Sequence, residues 1–257
     1  MAAVEALGPV GEALGLWPAA VALAFFRISG LMLLLPALGE RMIPARVRLA
    51  AAFALTVAVA PLIDPALVPA EVTFGLILVE VGVGAALGAV LRFSAQALQV
   101  AGAVAAQSTS LAQIFGAAQM DAGSAIGNVL HLAGLALLMA TGLPVLVVDL
   151  LARSWDVFPP GLALPGADVA GWGLARVGAA FALALGLAAP FVIAAVLYNL
   201  ALGVINKAMP QLMVALVGAP AITFVSLALT AATAALILTV WRDHALAVIA
   251  DPLLPRP

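Results

Sequence analysis

WPAAVALAFFRISGLMLLL, residues 17 to 35, is one hydrophobic run with an arginine, Arg27, near its middle. A central arginine costs about 2.5–3.5 kcal/mol in a membrane segment, whereas each neighbouring Leu, Ile, Phe or Val returns about 0.3–0.6 kcal/mol. The run therefore inserts only near break-even. Arg27 needs a partner or a wet cavity, so a functional or assembly role is expected of it. A short polar hairpin rich in arginine, Gly39 to Arg48, follows at once.

The rest of the chain has the same character. Of 257 residues, 66% are hydrophobic and 9% charged, and the mean hydropathy of +1.25 lies far outside the range of soluble domains. This is a membrane-associated protein, and no stretch is polar enough to fold as a separate aqueous domain, so one integrated unit is expected. No Lys or Arg precedes Arg27, and the first run reads as a retained anchor rather than a cleaved signal peptide. Zero cysteines exclude disulfides, thiol catalysis and thiolate metal sites. A net charge of -2 with ten Lys and Arg leaves no footprint for nucleic acid.

Apolar segments fall at Leu16 to Leu35, Val47 to Ile63, Phe74 to Leu91, Ile126 to Leu151, Leu174 to Ile205 and Leu212 to Trp241. Ala and Leu dominate and alternation with period two is absent, so the expected fold is all-α, of membrane type, built from helical hairpins with kinked helices. Loops are expected at Pro36 to Arg46, Asp64 to Glu71, Gln107 to Gly123, Asp156 to Gly171 and Asn206 to Gln211. Positive-inside counting puts Arg41, Arg46 and Arg48 in the cytoplasm, with the N-terminus and the acidic Asp64 to Glu71 loop outside and Lys207 inside.

The third segment is too long for a simple span. Its helical pattern runs from Val72 to about Gln107 without proline, roughly 50 Å of helix at about 1.5 Å per residue, against a bilayer core of about 30 Å. In its distal part Arg92, Gln96, Gln99, Ala103, Gln107 and Ser110 form one polar and small stripe, either a solvated face or the lining of an aqueous passage between subunits. Gly84 and Gly88 make a G-x-x-x-G at which a neighbouring backbone could approach closely.

Chemistry is sparse. His131 and His244 stand far apart, with no H-E-x-x-H and no G-x-S-x-G, so neither catalytic residues nor a metal or cofactor site is expected, and the chain does not read as an enzyme. Glu80 lies inside an apolar helix, where it either neutralises Arg27 or Arg92 or faces a water-filled cleft. Asn199, Gly203 and Asn206 recur at spacings of four and three and lead to Lys207, a face suited to hydrogen bonds across helices, before Pro210 and Gln211. Pro144, Pro190 and Pro220 inside apolar runs predict kinked or interrupted helices, which suit a small-molecule secondary transporter or channel as well as an oligomeric gate.

Order and content together resemble a known family. Phe26-Arg27-Ile28-Ser29-Gly30 leads to Pro36-Ala37-Leu38-Gly39-Glu40-Arg41-Met42-Ile43-Pro44-Ala45-Arg46-Val47-Arg48; Ala101-Gly102 and Gln107 follow, then Phe158-Pro159. Asn199-Leu200-Ala201-Leu202-Gly203, Asn206-Lys207-Ala208-Met209-Pro210-Gln211 and Val217-Gly218-Ala219-Pro220 complete the set. In these blocks the chain resembles the flagellar type III export family FliR and its injectisome relatives, and Val217-Gly218-Ala219-Pro220 leans toward the flagellar branch. It departs from the family pattern at Lys207, where arginine is usual, around Phe115, where an aspartate-proline step is missing, and at Ala140 to Pro144, where a polar Asn-Gly-His patch is usual.

The resemblance implies an export-gate subunit of the bacterial inner membrane and flagellar basal body. FliP and FliQ would be its neighbours in a helical, pore-forming hetero-oligomer, with FlhB and FlhA as further partners, membrane lipid around it and unfolded flagellar proteins as export substrates. It further implies a FliP-like part over residues 1–160, a FliQ-like helical hairpin over 161–257, and an assembly projecting to the periplasmic side. A plug loop is implied at about 107–123, with Ile114, Phe115 and Met120 as its apolar tip. Arg27, Arg46, Arg48, Glu80, Arg92, Asn199, Asn206, Lys207 and Gln211 are then the expected assembly or buried polar residues, Arg27 through burial against other subunits.

Overall fold

The computed structural model describes residues 2–40, 42–109, 125–162, 165–209 and 214–252, and these are helical with no strand. The helices are α1 (Ala2–Leu34), α2 (Ala45–Val59), α3 (Phe74–Thr109), α4 (Ala125–Ala140), α5 (Leu143–Val157), α6 (Gly166–Ala208) and α7 (Val214–Ala250). Among the described residues, five helices are long and apolar enough to cross a membrane, and the bent pair α4–α5 makes a sixth span if counted as one. The all-α membrane-type fold read from the composition is the fold observed.

Several boundaries differ from the sequence reading, and two of them have a clear local reason. The segment Ile126 to Leu151 is not one helix: α4 and α5 meet at 71°. Gly142 sits there with φ 86°, a left-handed conformation that glycine adopts without strain, and Pro144 in the first turn of α5 has no N–H to continue a ladder from α4. The loop Asp156 to Gly171 is shorter than expected, because Pro165 is where a helix starts: its carbonyl accepts from Asp168 and Val169 N–H, both at 3.1 Å. Asp168 adds a carboxylate to that first turn, which favours the helix N-terminus. Helix α1 extends well upstream of Leu16. Pro190, expected to kink its segment, lies inside the continuous α6.

The chain packs as two compact units that interleave in sequence, so they describe packing rather than the two halves the resemblance implies. The first comprises residues 1–92, 138–176 and 246–255, the second 93–137, 177–245 and 256–257. In the first unit, Leu23, Ile28 and Leu31 of α1, Val83 and Leu87 of α3, and Val147, Leu151 and Trp155 of α5 are buried. There α1 and α3 touch backbone to backbone. A Cβ on Gly30 would lie 2.1 Å from the Val81 carbonyl oxygen, and one on Gly84 only 1.9 Å from that of Arg27. The G-x-x-x-G of α3 is the seam at which α1 crosses it.

The second unit uses the same device. A Cβ on Gly102 of α3 would fall 2.2 Å from the Gly127 Cα of α4. Trp241 of α7 is fully buried, and its indole N–H donates to the Ser94 carbonyl at 2.7 Å. Gly134 of α4 leaves room for the indole, since a Cβ there would come within 3.0 Å of the ring. Trp241→Phe removes one buried hydrogen bond, about 1 kcal/mol, whereas Trp241→Ala opens a cavity worth about 3–5 kcal/mol. Thermal unfolding of the detergent-purified protein should rank them in that order.

Candidate functional site

Arg27 has no exposed surface, and neither has Glu80. Both are held in the first unit. Arg27 Nε donates to Glu80 Oε2 at 2.7 Å and Nη2 to Oε1 at 3.0 Å, the two-pronged geometry in which a guanidinium binds a carboxylate most strongly. Two further donors are also used. Nη1 donates to Ser154 Oγ at 2.8 Å, and Nη2 donates to the Phe158 carbonyl at 2.8 Å. The Ser154 hydroxyl passes the chain on to the Leu151 carbonyl at 2.7 Å. The guanidinium carbon lies 4.4 Å from the centre of the Trp155 ring, within cation–π range.

One side chain thus ties α1 to α3 and to the C-terminal end of α5. The pair carries no net charge, and its hydrogen bonds offset part of the penalty that made the first run marginal. The expectation that Arg27 is buried against other subunits is corrected by this geometry. It is enclosed by its own chain. Phe158 is the residue at which α5 ends (φ -121°, ψ 77°), and Pro159 follows, so the carbonyl that Arg27 takes has no helical partner. Sequence reading missed Ser154 and Trp155, for which the only available signal was a serine beside a tryptophan in an amphipathic stretch.

The other expected residues are distributed differently. Arg92 pairs not with Glu80 but with Glu40, Nη1 to Oε1 at 2.6 Å, pinning the polar hairpin to α3. The turn that leads into the hairpin is tight: Ala37 has φ 67°, and a Cβ on Gly39 would lie 2.5 Å from the Leu35 carbonyl oxygen. Arg46 is exposed and Arg48 half-buried at the start of α2. Asn199, Gly203, Asn206 and Lys207 are exposed on α6, so the face read as suited to hydrogen bonds across helices is left uncovered by the chain itself. His131 is a core histidine, with Nδ1 3.1 Å from the Ala95 carbonyl oxygen. Ile114, Phe115, Met120 and Gln211 lie outside the described residues.

Among the described residues no group of His, Asp or Glu is placed to hold a metal ion. A cavity of about 530 Å³ in the second unit is lined mostly by apolar and small residues such as Gly186, Pro190, Ile237 and Val240, together with Thr233 and His244. What does stand out is apolar surface. Ile193, Val196, Leu197, Leu200 and Val204 of α6 and Phe224, Leu227 and Leu236 of α7 are all exposed in the single chain, far more than a soluble monomer tolerates.

The model of the family described as bacterial export proteins, family 1, matches residues 19–247. The chain belongs to this family. Its relatives include the flagellar biosynthetic protein FliR of Caulobacter vibrioides, 32% identical over 229 residues that cover 87% of this chain and 91% of that protein. Proteins of the same name in Escherichia coli (29% identical, 86% and 84% covered) and Aquifex aeolicus (32%, 77% and 78%) are similar over most of their length. In this family 1 export protein, then, the Arg27 cluster and the α1–α3 glycine seam both fall inside the matched region.

Proposed function

We propose that this subunit of the flagellar type III export apparatus helps to form and close the channel through which unfolded flagellar proteins leave the cell. The observation that carries the reading is the match to flagellar relatives over nearly the whole chain. The uncovered apolar faces of α6 and α7 support it, because they call for lipid and for neighbouring helices. FliP and FliQ are the neighbours we assign to them, with FlhB and FlhA as further partners. Residues 1–160 take the FliP-like place and 161–257 the FliQ-like hairpin. The assembly stands in the inner membrane and projects to the periplasmic side. A secondary transporter is not favoured, since the fully buried charge pair found among the described residues directs its hydrogen bonds to groups of the chain itself rather than to a substrate cavity.

Closure is assigned to the segment from Gln107 to Gly123, where Ile114, Phe115 and Met120 interrupt small and polar residues. A short apolar tip on such a segment seals a pore to ions and moves aside for a chain in transit. Deleting Ile114 to Gln119 is expected to raise ion leak across membranes that carry the complex, and unchanged conductance would count against the plug. The wider reading is tested by deleting the gene: flagellar substrates should disappear from the medium and return on complementation. Undiminished secretion in the deletion strain would remove it.

A further inference from the structure

We infer that the open face of the distal part of α3, which carries Gln96, Gln99 and Gln107, is an uncharged amide track that holds an extended polypeptide in transit by its backbone. The inference rests on the export reading above and adds to it the surface that meets the substrate.

The face is what the neighbours of α3 leave open. Gln96, Gln99, Ala103 and Gln107 follow one another at three, four and four residues, so at about 100° per residue they share one side of the helix. On one flank α4 comes close: a Cβ on Gly102 would lie 2.2 Å from the Gly127 Cα, and His131 Nδ1 is 3.1 Å from the Ala95 carbonyl oxygen. On the other flank is a cavity of about 240 Å³, lined by Phe93 and Val100 of α3 and by Val177 and Phe181 of α6, with Gln96 also in its wall. Trp241 of α7 takes the back of the helix, where its indole N–H donates to the Ser94 carbonyl. Accordingly Ser94, Ala95, Leu98, Ala101 and Ala105 are buried, whereas Gln96, Gln99 and Gln107 are exposed. Ser110, which continues the stripe in sequence, lies outside the described residues.

The open face is polar without being charged. No Asp, Glu, Lys or Arg occurs in residues 93–109 of α3, 125–137 of α4 or 177–206 of α6. A face turned to bulk water commonly carries charge, and one turned to lipid would strand three amides without hydrogen-bond partners. A glutamine amide both donates and accepts, so it can bond the C=O or the N–H of any residue in an extended chain, whatever its side chain. Fixed charges on this face would hold back acidic or basic stretches of a passing chain, and neutral amides hold back neither. From Gln96 to Gln107 the face runs about 16 Å, the length of about five extended residues. A helix of a neighbouring subunit is the other occupant able to use these amides, through hydrogen bonds of its own side chains.

The test places the photo-crosslinking amino acid benzoylphenylalanine at Gln96, Gln99, Phe115 or Phe224, one at a time, in the full chain within its native complex, with an export substrate stalled in transit by a folded domain at its C-terminus. Probes at Gln96 and Gln99 should capture the substrate, as should the probe at Phe115 in the closing segment, and the probe at the exposed Phe224 of α7 should not. Capture at Phe115 with none at Gln96 or Gln99, or capture there of a neighbouring subunit alone, would overturn the track and leave the export reading standing. Capture at none of the positions would remove both. A second measurement reads the charge. In the Gln96→Glu/Gln99→Glu double variant, secretion of an acidic substrate should fall several-fold more than that of a basic substrate matched in length, and equal effects on the two would overturn the role given to neutral amides.

Discussion

Replacing Arg27 with methionine is expected to destabilise the protein by about 3–5 kcal/mol, the usual consequence of leaving one member of a buried ion pair without its partner. Glu80 would keep its burial and lose both donors, while the Ser154 hydroxyl and the Phe158 carbonyl would each lose one. Glu80→Gln should be nearly as severe, and Arg27→Lys should not rescue, because an ammonium cannot serve the two carboxylate oxygens in plane and reach Phe158 as well. The Arg27→Met/Glu80→Leu double variant should recover most of what either single change loses. A full charge swap should recover less, since it would point a carboxylate at the Phe158 carbonyl. Accumulation in the membrane and the thermal midpoint of the purified protein give these rankings. Additive losses in the apolar double variant would mean that the two residues act independently.

Gly84 should be almost as intolerant. A methyl group there would fall 1.9 Å from the Arg27 carbonyl oxygen, 2.8 Å from its carbon and 2.9 Å from the Leu31 nitrogen. All three are backbone atoms, so no rotamer change relieves the clash and α1 must move off α3. Overpacking of this sort costs about 1–3 kcal/mol where side chains yield, and Gly84→Ala should lie at or above the top of that range. The displacement would also draw Arg27 away from Glu80, so the two effects compound. Gly82, two residues away, has nothing within 4 Å of its missing Cβ, and Gly82→Ala should be neutral or slightly stabilising through helix propensity alone. If both alanine variants melt together with wild type, the close crossing of α1 and α3 is wrong.

Both predictions concern one junction, and its parts were unequally legible. That Arg27 needs a partner follows from insertion energetics, and Gly84 and Gly88 mark a close approach by their spacing. Glu80 was one of two ways to meet the need, but which of Arg27 and Arg92 it served depends on the register of α1 against α3. Ser154, and the role of the Phe158 carbonyl as an acceptor, could not be read because the helix leading to them is set by the break at Gly142, where α4 turns 71° into α5. The overlong α3 was plain, since no proline interrupts it. The start of α6 was not, because Pro165 serves there as a helix entrance while prolines nearby mark a loop. Composition shows that α6 and α7 are apolar over most of their surface, and only family membership says what kind of assembly they belong to.

The assembly itself remains the point to test. An affinity-tagged copy of the chain, expressed from its own locus and purified from the membranes of its host, should bring down FliP and FliQ in fixed proportion, and expressed without them it should aggregate or be degraded. Recovery of the tagged chain as a stable, monodisperse species free of both proteins would contradict the account.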